Sequence, residues 1–258
     1  GVVERDNEEV KQENSNKNPT ILSVQRDYMA GEWSRYYTNR YLLPTDISEA
    51  HKEGIIHFHD SDYFAQHMHN CCLVNLNDML QNGTCISGTK IDKPHSFITA
   101  CTVASQIVAQ VASSQYGGQT ITMSHLAPFV DISRQKIAKR LREEFLSAGI
   151  TTTEEKFDSL VQKEVQKEVE SGCQAVQYQL ITLQSTSGQA PFVTVFLYLN
   201  EVPEGQIRDD LALIIEVMFK QWILGVKDRT GAYITPAFPK LIYVLEEQNI
   251  HEDSPYYY

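Results

Sequence analysis

The run Pro191-Phe192-Val193-Thr194-Val195-Phe196-Leu197-Tyr198 constrains the fold more than any other segment. It is apolar nearly throughout, rich in β-branched and aromatic side chains, and too short for a helix, which is the pattern of a buried strand. An amphipathic helix is predicted from Ile207 to Val226, and Lys240 to Leu245 repeats the strand pattern. Upstream, Cys71-Cys72-Leu73-Val74-Asn75-Leu76 is a further short apolar run, and long helical segments separate it from Pro191. Strands that alternate with helices pair in parallel through crossover connections. The expected class is therefore α/β with a parallel sheet, in which three strands are legible.

The helices are read from their period and their breakers. One spans about Ser23 to Tyr41 and is stopped by Pro44; a shorter one, capped within Thr45-Asp46-Ile47-Ser48, ends near Gly54. From Ser96 to Gln115, Ile98, Cys101, Ala104, Ile107, Val108 and Val111 recur at helical spacing among small residues that would let another helix approach closely. Tyr116-Gly117-Gly118-Gln119-Thr120 breaks that pattern. A second long helix follows from about Ser124 to Leu146, with Pro128 near its start, where proline is tolerated. Ser159 to Glu170 reads as a charged helix that resumes from Cys173 to Leu183 after a break at Gly172.

Residues 1–20 are polar and aperiodic, as in a flexible linker, which leaves 21–258 as the folded part. They contain no apolar core of a signal peptide. No apolar run approaches the roughly 20 residues that a bilayer span needs, so no membrane is expected. A net charge of −11 argues against general nucleic-acid binding. Five cysteines, an odd number, favour a reducing cytoplasm over a disulfide framework. The sequence ends just after the strand Lys240–Leu245, before any helix that would cover it, and the expectation is an excerpt from a longer protein.

Chemistry concentrates before and within the first strand. His57, His59, His67, His69, Cys71 and Cys72 crowd together, but without Cys-x-x-Cys or His-x-x-x-His spacing. A strand also turns adjacent cysteines to opposite faces, so no metal site is expected. Two readings stay open for the cysteines: a redox or radical thiol, or two small core residues. Gly117-Gly118 could bring backbone N–H groups to a phosphate before a helix, or could simply be a turn between helices.

Several segments together resemble the large subunit of anaerobic (class III) ribonucleotide reductase, a glycyl-radical enzyme. They are Glu49 to Gly54 running into His57-Phe58-His59-Asp60, then Asn70-Cys71, then Lys93-Pro94-His95-Ser96 leading to Ala109–Ser113 and Tyr116-Gly117-Gly118. Leu126–Val130, Gly188–Thr194 and Phe238–Leu241 continue the series in the family's order, over about residues 25 to 245.

The resemblance implies a ten-stranded α/β barrel made of two parallel halves, with this chain holding roughly the first. It implies that Cys71 takes part in hydrogen-atom transfer while the ribose 2′-hydroxyl leaves, with Cys72 a packing residue. His57, His59, Asp60 and Asn70 become candidates for substrate positioning. The helices within 96–146 match the family's dimer-forming pair, which binds a deoxynucleoside triphosphate effector. Ser96, Thr99, Gln110 and Ser114 would meet its base and ribose, and Lys136, Lys139 and Arg142 its triphosphate. Gln184 to Gln189 would relay effector identity to the ribonucleoside triphosphate substrate. The family's thiyl-bearing cysteine loop, glycyl radical and zinc module do not occur in residues 1–258. The fragment alone is therefore expected to be inactive, and the parent to use formate as reductant, to dimerise and to need a radical-SAM activating enzyme. Two alternatives are a non-catalytic nucleotide-sensing module and a formate-lyase-like acyltransferase that would use Cys71 and Cys72 as its radical pair.

Overall fold

The computed structural model describes residues 21–66, 68–183, 191–228 and 230–257. Helix α1 (Leu22–Tyr37) runs into one π-helical turn, Thr38–Leu42, and ends before Pro44, which leads into α2 (Thr45–Lys52). The stretch from Gly54 to Gln66 is built mostly of turns and bends. Among them Asp60 takes a left-handed backbone (φ 53°), a conformation that Asp tolerates better than most side chains.

Four strands form one parallel sheet in the order β1-β4-β5-β8: β1 is Cys72–Leu73, β4 Gln119–Thr122, β5 Val193–Leu197 and β8 Lys240–Tyr243. The parallel α/β expectation holds, with two corrections. Strand β1 covers only two residues of the expected six, because Asn75 accepts a hydrogen bond from the Asp78 N–H and caps helix α3 (Leu76–Gln81). Strand β4 lies where the sequence predicts only a break. Its Thr-Ile-Thr core is β-branched and suited to a sheet, but four residues after two glycines give too short a pattern to register.

Two small antiparallel hairpins, β2 (Thr84–Ile86) with β3 (Thr89–Ile91) and β6 (Val226–Lys227) with β7 (Tyr233–Ile234), stand apart from the sheet. The crossover from β1 to β4 carries α4 (Phe97–Ala112). From β4 to β5 it carries α5 (Pro128–Ala148) and α6 (Glu154–Thr182), and from β5 to β8 it carries α7 (Gln206–Leu224). A short α8 (Glu247–Ile250) follows β8. Pro128 is the first residue of α5, where its missing N–H costs nothing, and Gly149 ends the helix in a left-handed conformation. Helix α6 continues unbroken through Gly172, because the glycine is there for a neighbouring helix and not for a turn.

The sheet has two unlike faces. Gln119, Ile121, Val193, Val195 and Leu197 are buried against the apolar sides of α4 to α7, in one shared core. The alternate residues Thr120, Thr122, Thr194 and Phe196 are only half-buried. Burying five such side chains on one face is what fixes the register, since a one-residue slip would turn every one of them outward. Several polar groups inside the core are paired, although Gln119 Oε1 and Gln177 Oε1 are buried with no hydrogen-bond partner among the described residues. Gln119 Nε2 donates to the Val108 carbonyl at 2.8 Å, and Ser133 Oγ accepts from the Phe97 N–H at 2.7 Å and donates to Glu168 at 2.6 Å. The Ser133–Glu168 contact ties α5 to α6 at the N-terminus of α4, whose first N–H groups lack helical partners. No helix among the described residues is long and apolar enough to cross a membrane.

Candidate active site around Cys71

The register assigns Cys71 and Cys72 to different sides of the sheet. Cys72 pairs with Gln119 and packs on the covered core, whereas Leu73 pairs with Thr120 and is exposed on the other face. Strand alternation then puts Cys71 on the same uncovered face as Leu73 and Thr120. Cys71 is exposed, and its thiol donates a long, weak hydrogen bond to Asn70 Oδ1 at 3.4 Å. Burial, reinforced by the neighbouring Cys71, pushes the Cys72 thiol pKa up, while a hydrogen bond with Gln115 opposes this.

The Gly117-Gly118 turn fits neither sequence reading. It leads into strand β4 and not into a helix, so no helix N-terminus stands behind it to bind a phosphate. Its glycine is required by contact: a Cβ on Gly117 would stand 2.0 Å from Asn70 Oδ1 and 2.3 Å from the Asn70 carbonyl oxygen. The Cys72 N–H donates to the Gly118 carbonyl at 3.1 Å, and the Tyr116 N–H to the His69 carbonyl at 3.4 Å. Tyr116 stacks on Tyr63 with ring centroids 4.1 Å apart. Both rings, with Gln115, Met68, Ser23 and Arg26, line an open cleft of about 380 Å³ between α1 and the end of α4. Sequence reasoning gave no site role to Gln115, Tyr63 or Tyr116, although Tyr116 stands in the Tyr116-Gly117-Gly118 motif, because nothing local marks a glutamine or tyrosine whose partners lie many residues away.

His57 and His59 lie together, Nε2 to Nδ1 at 3.1 Å, and His59 Nε2 is 3.4 Å from Asp60 Oδ1. All three belong to the turn-built segment before β1, and no hydrogen bond or ion pair joins them to Asn70 or Cys71 among the described residues. Among those residues no three His, Cys, Asp or Glu side chains gather so as to hold a metal ion.

The candidate effector residues fall into separate groups. Ser96 caps α4, accepting from the Thr99 N–H at 3.3 Å, and also meets the Thr99 hydroxyl at 2.8 Å. Gln110 and Ser114 share that face of the helix but lie four turns further on, where Gln110 accepts from Ser87 at 3.2 Å. A rise of about 1.5 Å per residue puts Ser96 and Gln110 roughly 21 Å apart, so the two groups do not converge on one point. On α5, Lys136 and Lys139 are exposed and unpaired among the described residues. Arg142 is engaged: it donates to Glu154 at 3.1 Å and lies 4.4 Å from the centroid of the Phe157 ring. The linker 1–20, His67 and the loop Gln184–Gln189, with both glutamines assigned to the effector, lie outside the described residues.

Comparisons with known proteins complete the picture. The family model described as anaerobic ribonucleoside-triphosphate reductase matches residues 13–258. The reductase of Haemophilus influenzae is 35% identical over the whole of this chain, which covers 34% of that protein's length. That of Enterobacteria phage T4 is 36% identical, again over all of this chain and 40% of its own length. The chain thus spans little more than a third of the curated relatives it matches. A solved structure named anaerobic ribonucleotide reductase aligns with 86% of this chain and 34% of its own, at a TM-score of 0.54 and 17% identity, and shares the fold. The match favours the reductase reading over both the sensing-module and the acyltransferase alternatives, and by it the chain belongs to the anaerobic ribonucleoside-triphosphate reductase family.

Proposed function

We propose that this chain is the part of an anaerobic ribonucleoside-triphosphate reductase that presents Cys71 to the substrate ribose. The observation that carries the reading is the register of β1. Strand alternation from that register puts Cys71, one residue before β1, on the sheet face that the helices leave uncovered, and packs the half-buried Cys72 against the core. A ten-stranded barrel, with this sheet as the larger part of its first half, would enclose that uncovered face and the thiol with it.

In this reading Cys71 gives a hydrogen atom to the ribose while the 2′-hydroxyl departs, with a proton, as water. Formate, oxidised to carbon dioxide, supplies the two electrons, so that ribonucleoside triphosphate, formate and a proton give deoxyribonucleoside triphosphate, carbon dioxide and water. The glycyl radical that initiates the chemistry, and a zinc module near it, are assigned to the remainder of the parent chain, as is the contact with a radical-SAM activating enzyme. His57, His59, Asp60 and Asn70 are assigned to the substrate. The face of α4 that carries Ser96, Thr99, Gln110 and Ser114 is assigned to a deoxynucleoside triphosphate effector and to the homodimer, with Lys136, Lys139, Arg142, Gln184 and Gln189. The two groups on α4, roughly 21 Å apart by helical rise, would serve different parts of one extended nucleotide or the ligands of two subunits. The polar, half-exposed face and the two unpaired lysines support that assignment.

The test uses the full-length parent. Cys71→Ser is expected to abolish deoxynucleotide formation while calorimetry still shows effector binding, and Cys72→Ala to retain activity. Equal loss in two folded variants would overturn the choice of Cys71.

A further inference from the structure

Gln115 is 6% exposed and sits at the junction of α4 and β4. Its side-chain amide donates to the Gly117 carbonyl at 3.3 Å and to the Gly118 carbonyl at 3.0 Å. The same side chain hydrogen-bonds Cys72, the one interaction there that opposes the burial of that thiol. Gly118 O is a shared acceptor, since it also takes the Cys72 N–H at 3.1 Å; a carbonyl oxygen has two lone pairs and can serve both.

These contacts meet on either side of Cys71. Before it, Asn70 is wedged against Gly117 with no space for a methyl group between them. After it, Cys72 is tied through its N–H to Gly118 and through its thiol to Gln115. Both flanks of Cys71 are therefore fixed to a three-residue turn whose two carbonyls Gln115 holds.

We propose that Gln115 is a positioning residue for the reaction: by clamping the Gly117 and Gly118 carbonyls it sets the direction of the Cys71 thiol without touching substrate. This rests on the role given to Cys71 under the proposed function. Of the residues assigned to the substrate, His57, His59 and Asp60 have no hydrogen bond or ion pair with the clamp among the described residues, and only Asn70 adjoins it, so its loss falls chiefly on the chemical step.

The experiment compares Gln115→Met and Gln115→Glu in the full-length enzyme; both keep the side-chain length and remove the amide donor. The expected result is a fall in kcat on the order of a hundredfold, the cost of misplacing a reacting group by about 1 Å, with KM within about twofold. A second readout follows the contact itself. In a Cys71→Ser background, the pH profile of Cys72 alkylation should move to higher pH in Gln115→Met, because the opposing hydrogen bond is gone. An unchanged kcat, an unmoved alkylation profile, or loss of kcat together with KM or with folding in both variants would each overturn the proposal. Cys71→Ser is the separate control. If that enzyme stays active, the radical role of Cys71 fails whatever Gln115 does. If it is dead while both Gln115 variants match wild type, only the Gln115 inference falls.

Discussion

Gly172 of α6 lies so close to Phe97 of α4 that a Cβ in its place would stand 2.6 Å from the ring carbon Cε1. The same Cβ would stand 3.0 Å from Cys101 Sγ, so the backbone of α6 rests directly on the side chains of α4 there. Two effects compete in Gly172→Ala. Helix propensity favours alanine by about 1 kcal/mol, whereas overpacking a tight core costs about 1–3 kcal/mol. Phe97 is fully buried and has nowhere to swing, so the clash should win. The expected outcome is a net destabilisation of about 1 kcal/mol, read as a lower urea midpoint at unchanged slope. Adding Phe97→Leu should remove most of the penalty specific to alanine. A more stable Gly172→Ala would mean that the helices are not this close.

Arg134 of α5 and Asp210 of α7 form a largely buried ion pair, with side chains 18% and 3% exposed. Arg134 also meets Asp131 at 2.7 Å, and Gln206 donates to Asp210 at 3.0 Å. Burial pushes the Asp210 carboxyl pKa up, and the guanidinium opposes it. Arg134→Met strands the carboxylate and should cost about 3 kcal/mol or more. Arg134→Met combined with Asp210→Leu should cost clearly less than Arg134→Met alone, since no buried charge is left without its partner. Chemical denaturation of the two variants checks this, and an equal loss in both would refute it.

His125 precedes α5, and its Nδ1 is buried without a hydrogen-bond partner among the described residues. Burial lowers its pKa from the ordinary 6.5, with Glu201 opposing. The unfolded chain therefore takes up the proton more readily than the folded one. The stability contributed by keeping the ring neutral is present above about pH 6.5 and is lost as pH falls through the lowered folded value. His125→Asn should flatten the stability profile over that interval, measured by denaturation at a series of pH values. A profile as steep as wild type would assign the acid sensitivity to other groups.

Legibility in the sequence followed the length of the pattern. Helices α1, α4, α5 and α7 and strands β5 and β8 carry enough residues for their period to show, and they appear close to where the pattern puts them. Strand β1 and strand β4 rest on two and four residues, whose identity as strands comes from pairing and not from local preference. Gly172 misleads for a related reason: alone, a glycine in a helix reads as a break, and only the ring beside it explains its presence. In the candidate site, Asn70 and Cys71 could be singled out as candidates because their motif is local. Gln115, Tyr63 and the fit of Gly117 against Asn70 were not, since each depends on a partner brought in by the fold.

Strand β1 closes the described sheet on one side, and its two residues are hydrogen-bonded to β4 alone. Mechanically it is a cantilever: anchored along one flank, free along the other, with Cys71 at its root and Gly118 as the fixed support. A cantilever transmits displacement of its support directly to its load. Any movement of the end of α4, where Ser114 and Gln115 adjoin, would therefore reach the Cys71 thiol through three residues of chain and a single pair of carbonyls, without the rest of the sheet having to move.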